Sequence, residues 1–251
     1  MAYARPDFER YARTSIHIED RFQFSEACRT AMQDASGTFL DLGAGDGAVL
    51  RSAIDQRLLD RFERLIAVDV SELRVKRLNA SSLPRVCGLV GDATALPLPD
   101  SCVDFVFSHQ VIEHVASDRQ MASEVARVLR TGGTAFVTSV SKRWYGWYFY
   151  RCNGRFRLDP THVREYRDVA ALSRLFTEHG LEVASATDRP LGHPLDKIAV
   201  RALNRAGLIK TCDMPTVFSS NGFLRGLRGR ELRIPGYFYA EVLVTKPGKD
   251  W

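Results

Sequence analysis

An α/β fold built on a mostly parallel sheet is what this sequence predicts, and three observations predict it. Short apolar runs alternate with helical stretches along residues 38–140, the pattern of βαβ units whose strands are covered on both faces. A glycine-rich turn, Gly43-Ala44-Gly45-Asp46-Gly47, separates the first of these runs from its helix. Doubly wound sheets bind ligands at that edge. The last apolar run follows irregular chain with no crossover helix beside it, so it should enter the sheet antiparallel.

Each element has its own signal. Residues 7–34 carry Phe8, Tyr11, Phe22, Phe24, Ala27, Cys28 and Ala31 among charges and read as helical. TFLDL (38–42) is the first strand candidate, and AVLRSAIDQRLLDRF (48–62) the helix after it. RLIAVDV (64–70) is the second strand, and Ser71 is placed to cap the helix SELRVKRLNA. RVCGLVG (85–91), CVDFVFS (102–108) and TAFVTSV (134–140) supply three more strands. The helix between the last two, SDRQMASEVARVLR (117–130), meets Gly132-Gly133 as a stop. Beyond residue 140 the rhythm breaks into KRWYGWYFYRCNGRFR and DPTHVREY. A helix (167–180) and a strand (181–187) restore it, residues 190–235 are less regular, and YFYAEVLVTK (237–246) closes the sheet.

Composition narrows the class of function. Of 251 residues, 45% are hydrophobic and 26% charged, as in a globular enzyme and unlike a disordered chain. No run approaches the ~20 apolar residues of a membrane span, and the N-terminus lacks the apolar core of a secretory signal. The five cysteines are scattered without a Cys-x-x-Cys pair, which argues against a disulfide scaffold or a structural zinc site. A cytoplasmic protein without a metal is therefore expected. The net charge of +5 is uneven, since residues 141–167 and 201–236 each hold seven Lys/Arg against two acids. That excess suits either a solvated surface or an anionic substrate or membrane. It follows no recognisable nucleic-acid module, so no nucleic-acid partner is expected.

The turn and its acids point to a nucleoside ligand. Asp41 precedes the glycines, Asp69 ends the second strand, and Asp92 ends the third, so three strand-end acids converge on one crevice. An acid about 20 residues beyond such a turn is placed to take both hydroxyls of a ribose. Gly43-x-Gly45-x-x-Ala48 also fits a dinucleotide fingerprint, and the glycines alone leave both ligands open. A pyrophosphate needs an unobstructed helix N-terminus, whereas Asp41 and Asp46 favour a ligand with a positive group. S-adenosylmethionine carries an ammonium, a ribose for Asp69 and an adenine amino group that Asp92 can accept from.

Residues 38–140 resemble a class I S-adenosylmethionine-dependent methyltransferase. LDLGAGDG resembles the family's D/E-x-G-x-G-x-G motif, AVDVSE its second motif, and GDATALPLPDSCVDFVFSHQVIEHV its third and fourth. RVLRTGGTAFVTSV resembles its fifth-strand signature. The similarity is closest to the group of methyltransferases acting on quinones and other small molecules. It implies a Rossmann-like sheet of seven strands with the last antiparallel. It also implies one domain over 1–251: an N-terminal helical segment (1–37), a cofactor core (38–140) and substrate-cover insertions around one helix and strand (141–235). By the same resemblance Gly43, Ala44 and Gly45 contact the methionine part of the cofactor, and Asp41 supports that loop and the ammonium. Asp69 holds the ribose, Val70 packs on the adenine, and Asp92 with the Ala93 amide reads the adenine edge. Ser108 and His109 lie beside the reactive methyl. The product is S-adenosylhomocysteine.

The acceptor is less legible. Methyl transfer from a sulfonium requires alignment and, for a hydroxyl acceptor, a base. His109 and His162, the latter in DPTHVREY, are the candidate bases, and an oxygen is the expected methylated atom. His114 reads as a pocket wall, and His193, between Gly192 and Pro194, as a loop residue. The stretch Trp144–Tyr150 is either a wall for a glycan or aromatic metabolite, a rest on a membrane near a lipid-linked acceptor, or core packing. DPTHVREY resembles methyltransferases of sugar and polysaccharide biosynthesis. Two other functions stay open: a non-catalytic cofactor-binding member of the fold, and an NAD(P)-dependent reductase.

Overall fold

The computed structural model describes residues 8–14, 22–81, 83–148, 150–152, 155–159, 161–196, 198–199, 203, 207–208, 222–227 and 230–248. A seven-stranded sheet organises them. Its strands are β1 (Gly37–Leu42), β2 (Phe62–Asp69), β3 (Val86–Val90), β4 (Val103–His109), β5 (Leu129–Lys142), β8 (Glu182–Pro194) and β9 (Glu231–Thr245), in the order β3-β2-β1-β4-β5-β9-β8. Pairing is parallel from β3 through β5, and β9 lies antiparallel between β5 and β8. The expected antiparallel closing strand is thus present, one place in from the edge. A two-stranded ribbon, β6 (Tyr150–Cys152) with β7 (Arg155–Arg157), stands apart from the sheet.

Helices α1 (Phe8–Thr14), α2 (Glu26–Asp34), α3 (Ala48–Asp55), α4 (Glu72–Ala80), α5 (Asp118–Val128) and α6 (Val169–Thr177) accompany it. Two apolar clusters hold the layers together. One gathers Leu40, Val68, Val106, Met121, Val125, Val137, Leu172 and Phe176, and the other packs Cys28, Met32, Leu50 and Leu59 with Phe39, Phe62, Phe105 and Phe107. Side-chain caps set four of the helix starts: Ser25, Ser71, Ser117 and Asp168 each accept from a backbone N–H three residues on.

Several boundaries differ from the sequence expectation for identifiable reasons. The helical segment expected over 7–34 is α1 and α2, because Ser25 starts a new helix and Phe22 is drawn off by its N–H bond to Ser52 Oγ. Residues 15–21 lie outside the described part. The helix expected to reach 62 ends at Asp55, where Arg57 turns at φ +57° while Leu58 and Leu59 still bury their side chains. Strand β5 begins directly after α5. Leu129 pairs with Val103 and Thr134 with Phe105, so residues 130–133 bulge out around Gly132 at φ +79°. Strands β8 and β9 each extend into 190–235, the segment expected to be irregular.

Candidate functional site

The sheet's carboxyl edge opens into a cavity of about 660 Å³. At one end stand Gly43, Ala44, Gly45, Asp69, Val70, Asp92 and Ala93; at the other stand His109, Gln110, His114, Tyr148, His162, His193 and Tyr239. Seven of the ten residues expected at the cofactor therefore share one end, and both candidate bases share the same space.

The turn is held from below. Gly43 and Ala44 donate to the Val68 carbonyl at 2.7 and 3.1 Å, and Gly43 sits at φ +83°. A Cβ there would meet Val111 Cγ2 at 2.2 Å, so only glycine lets the backbone pass. Asp69 ends β2 and accepts from Gly45 N at 2.8 Å and from Ser71 N at 2.9 Å. One carboxylate thereby fixes both the turn and the start of α4, with lone-pair capacity left on each oxygen. Asp92 accepts from Thr94 N at 2.9 Å and Thr94 Oγ1 at 2.8 Å, which orients it at the cavity wall.

Two expected residues stand behind the wall. Asp41 is buried, its Oδ2 has no hydrogen-bond partner among the described residues, and burial followed by the nearby Asp69 charge pushes its pKa up to about 7. Ser108 is fully buried and donates to the Leu42 carbonyl at 3.0 Å, tying β4 to β1 without lining the cavity. Asp46 does line it, with Arg77 at 3.7 Å from its carboxylate.

At the far end His109 Nδ1 is 2.8 Å from Thr138 Oγ1, and its ring packs against Phe22. Burial, then the Arg189 charge, lowers its pKa to about 4, so it is neutral near pH 7. His162 is buried with Nδ1 3.2 Å from Glu165 Oε1, and its ring meets His114 edge-on at 4.9 Å. His114 Nδ1 contacts Thr161 Oγ1 at 3.0 Å, and burial lowers its pKa. His193 belongs to β8 rather than a loop, with Nε2 2.7 Å from the Tyr148 hydroxyl.

Gln110 escaped the sequence reading. It follows β4 at φ +55°, lines the cavity, and its Nε2 is buried without a hydrogen-bond partner among the described residues. A non-glycine residue in that conformation is uncommon and marks a constrained site. Its only sequence signal was its place after the fourth strand. Trp144, 94% exposed, with Tyr145 and Trp147 also exposed, forms a surface just before Tyr148 turns into the cavity. These three side chains are not the core packing that was one expectation for the stretch; Phe149 and the side chain of Tyr150 lie outside the described residues.

Residues 40–137 match the family described as methyltransferase domain. A probable S-adenosylmethionine-dependent methyltransferase of Mycolicibacterium smegmatis is 35% identical over 156 residues, 62% of this chain and 56% of that protein. A similarly described protein of Mycobacterium tuberculosis is 32% identical over 143 residues, 57% of this chain and 47% of its own length. The chain thus spans about half the length of these curated relatives. Among solved structures, a putative sarcosine dimethylglycine methyltransferase from Galdieria sulphuraria superposes with a TM-score of 0.59 at 18% identity, covering 88% of this chain and 82% of that one. The family match falls on the strands and turn that build the glycine end of the cavity, so the likeness to the methyltransferase domain lies in residues 40–137.

Proposed function

We propose that this chain transfers a methyl group from S-adenosylmethionine to an oxygen of a small-molecule or glycan-type acceptor. The observation that carries the reading is the single cavity joining the glycine turn and its acids to a wall of histidines and tyrosines.

The residues present fit the cofactor. Gly43 leaves a cradle that a Cβ would fill, and Asp41 Oδ2 and Gln110 Nε2 are buried polar atoms without partners among the described residues. Gly43, Ala44 and Gly45 would hold the methionine part, with Asp41 beneath the ammonium. Asp69 would take the ribose, and Val70, Asp92 and Ala93 the adenine. Asp46, which lines the cavity beside the turn, disfavours the pyrophosphate a reductase would need at that helix N-terminus. When bound, S-adenosylmethionine supplies a methyl group already activated by its positive sulfur. The chain's task is then to align the acceptor, keep water out and accept a proton from a hydroxyl.

His162 suits that last role better than His109. Glu165, 3.2 Å from Nδ1, orients the His162 imidazole within the cavity. His109, with a pKa near 4, is a weak proton acceptor and serves as a neutral wall beside Thr138. The exposed Trp144, Tyr145 and Trp147 support delivery of an acceptor from an apolar or membrane surface. No helix among the described residues is long and apolar enough to cross a membrane, so such contact would be peripheral.

Labelled S-adenosylmethionine incubated with hydroxylated metabolites, glycosides and lipid-linked glycans tests the proposal. S-adenosylhomocysteine should form in step with a methylated acceptor, and His162→Ala should cut turnover by about 100-fold, the scale of general-base catalysis. Full turnover in His162→Ala would remove it as the base. Cofactor binding without product across the whole panel would favour the non-catalytic reading.

A further inference from the structure

No Cys/His spacing in the sequence announces a metal, yet the fold gathers Glu113, His114 and His162. One ligating atom from each lies within 4.8 Å of the other two, and both histidines line the acceptor end of the cavity. All three side chains are held from behind. Thr161 contacts His114 Nδ1 through its hydroxyl at 3.0 Å and its carbonyl at 3.3 Å. Glu165 stands 3.2 Å from His162 Nδ1, and Ser139 donates to Glu113 Oε2 at 3.0 Å. An Nδ1 anchored by a carbonyl or carboxylate is how metal-ligating histidines are fixed, with Nε2 as the donor.

Glu113 supplies an independent sign. The residue is completely buried, and its Oε1 has no hydrogen-bond partner among the described residues. A buried carboxylate oxygen left unpaired is costly, and a cation would satisfy it.

We propose that Glu113, His114 and His162 bind a divalent transition-metal cation at the acceptor end of the cavity. Two imidazoles and one carboxylate suit zinc(II), iron(II) or manganese(II), and three protein ligands leave a position for an exogenous oxygen. Bonds of ~2.1 Å in tetrahedral geometry set ligand atoms about 3.4 Å apart, so the cluster closes by roughly 1 Å to grip an ion. The consequence for catalysis rests on the methyl-transfer reading: an acceptor oxygen coordinated there has its pKa lowered. The cation, when bound, thus replaces His162 as the group that activates the hydroxyl, and His162 keeps the base role only in the metal-free site.

The test is direct titration of chelator-treated protein with zinc(II) and with manganese(II) by calorimetry, and with cobalt(II) by visible absorption. One ion per chain should bind, with affinity reduced at least about tenfold in both Glu113→Gln and His162→Ala. His179→Ala, whose imidazole bonds Leu175 O at the end of α6, should bind as the parent does. S-adenosylhomocysteine binding by each variant reports whether it is folded, and His162→Ala carries the test if Glu113→Gln is not. Absence of ion binding by the parent chain, or binding undiminished in the folded variants, overturns the proposal. Either result alongside intact S-adenosylhomocysteine binding leaves methyl transfer standing. Loss of S-adenosylhomocysteine binding by the parent chain would strike the methyl-transfer reading instead.

Discussion

At the scale of single residues, two carboxylates do different work although they end neighbouring strands. Asp69 is satisfied by the Gly45 and Ser71 amides and faces the cavity. Asp69→Ala should weaken S-adenosylhomocysteine binding by at least about 100-fold, since a hydrogen bond to a charged group contributes roughly 1.5–3 kcal/mol and the ribose offers two. Affinity equal to the parent's would remove Asp69 from the site. Asp41 is buried, and its folded pKa of about 7 lies above the ordinary 3.8. Between those values the folded chain keeps a proton that the unfolded chain releases, so this group makes stability fall as pH rises from about 4 to about 7. Asp41→Asn stays neutral throughout and should flatten that decline. Urea unfolding of the cofactor-free protein at about pH 5 and about pH 8 checks it; an unchanged slope would mean that Asp41 is ionised in the folded state.

At the scale of elements, the turn between β1 and α3 is the part least tolerant of change. Gly43→Ala places a methyl against Val111 at a backbone angle that L residues rarely adopt, so it should destabilise the fold by more than ~1 kcal/mol and weaken cofactor binding. Adding Val111→Ala should restore part of both, as thermal melts and calorimetry would show. No recovery would place the whole effect in the backbone angle. This turn was legible in the sequence because glycine and strand-end acids have few other uses in that spacing. Parallel strands buried on both faces read as apolar runs, which is why β1 and β4 stood out. The edge strand β3 is only half-buried and was signalled by its Val-Cys-Gly-Leu-Val run alone. The ends of elements were harder. Leu58 and Leu59 are core residues carried on a turn, so their hydrophobicity extended the apparent helix α3. The outer part of β8 is partly exposed and contains Pro190 and Gly192, which read as irregular chain. Glu113, His114 and His162 are brought together only by the return of 159–166 over the end of β4, recorded in the Val163 and Arg164 amides donating to the Glu113 carbonyl. That is a contact of tertiary structure with no local signal.

At the scale of the whole molecule, the sheet order sets the function. Strands β1, β2 and β3 lead into the turn and its acids, and β4, β8 and β9 bring His109, His193 and Tyr239 to the opposite wall. On the proposed function, that one crevice would hold a nucleoside and an acceptor side by side, as transfer between two bound molecules requires. The family match covers the first subsite, residues 40–137, and the second is built largely from chain beyond it. Calorimetric titration of the purified protein with S-adenosylmethionine, S-adenosylhomocysteine and NADPH tests this account most directly. It predicts one molecule of either sulfur ligand per chain and no binding of NADPH. Binding of NADPH, or of neither sulfur ligand, would contradict it.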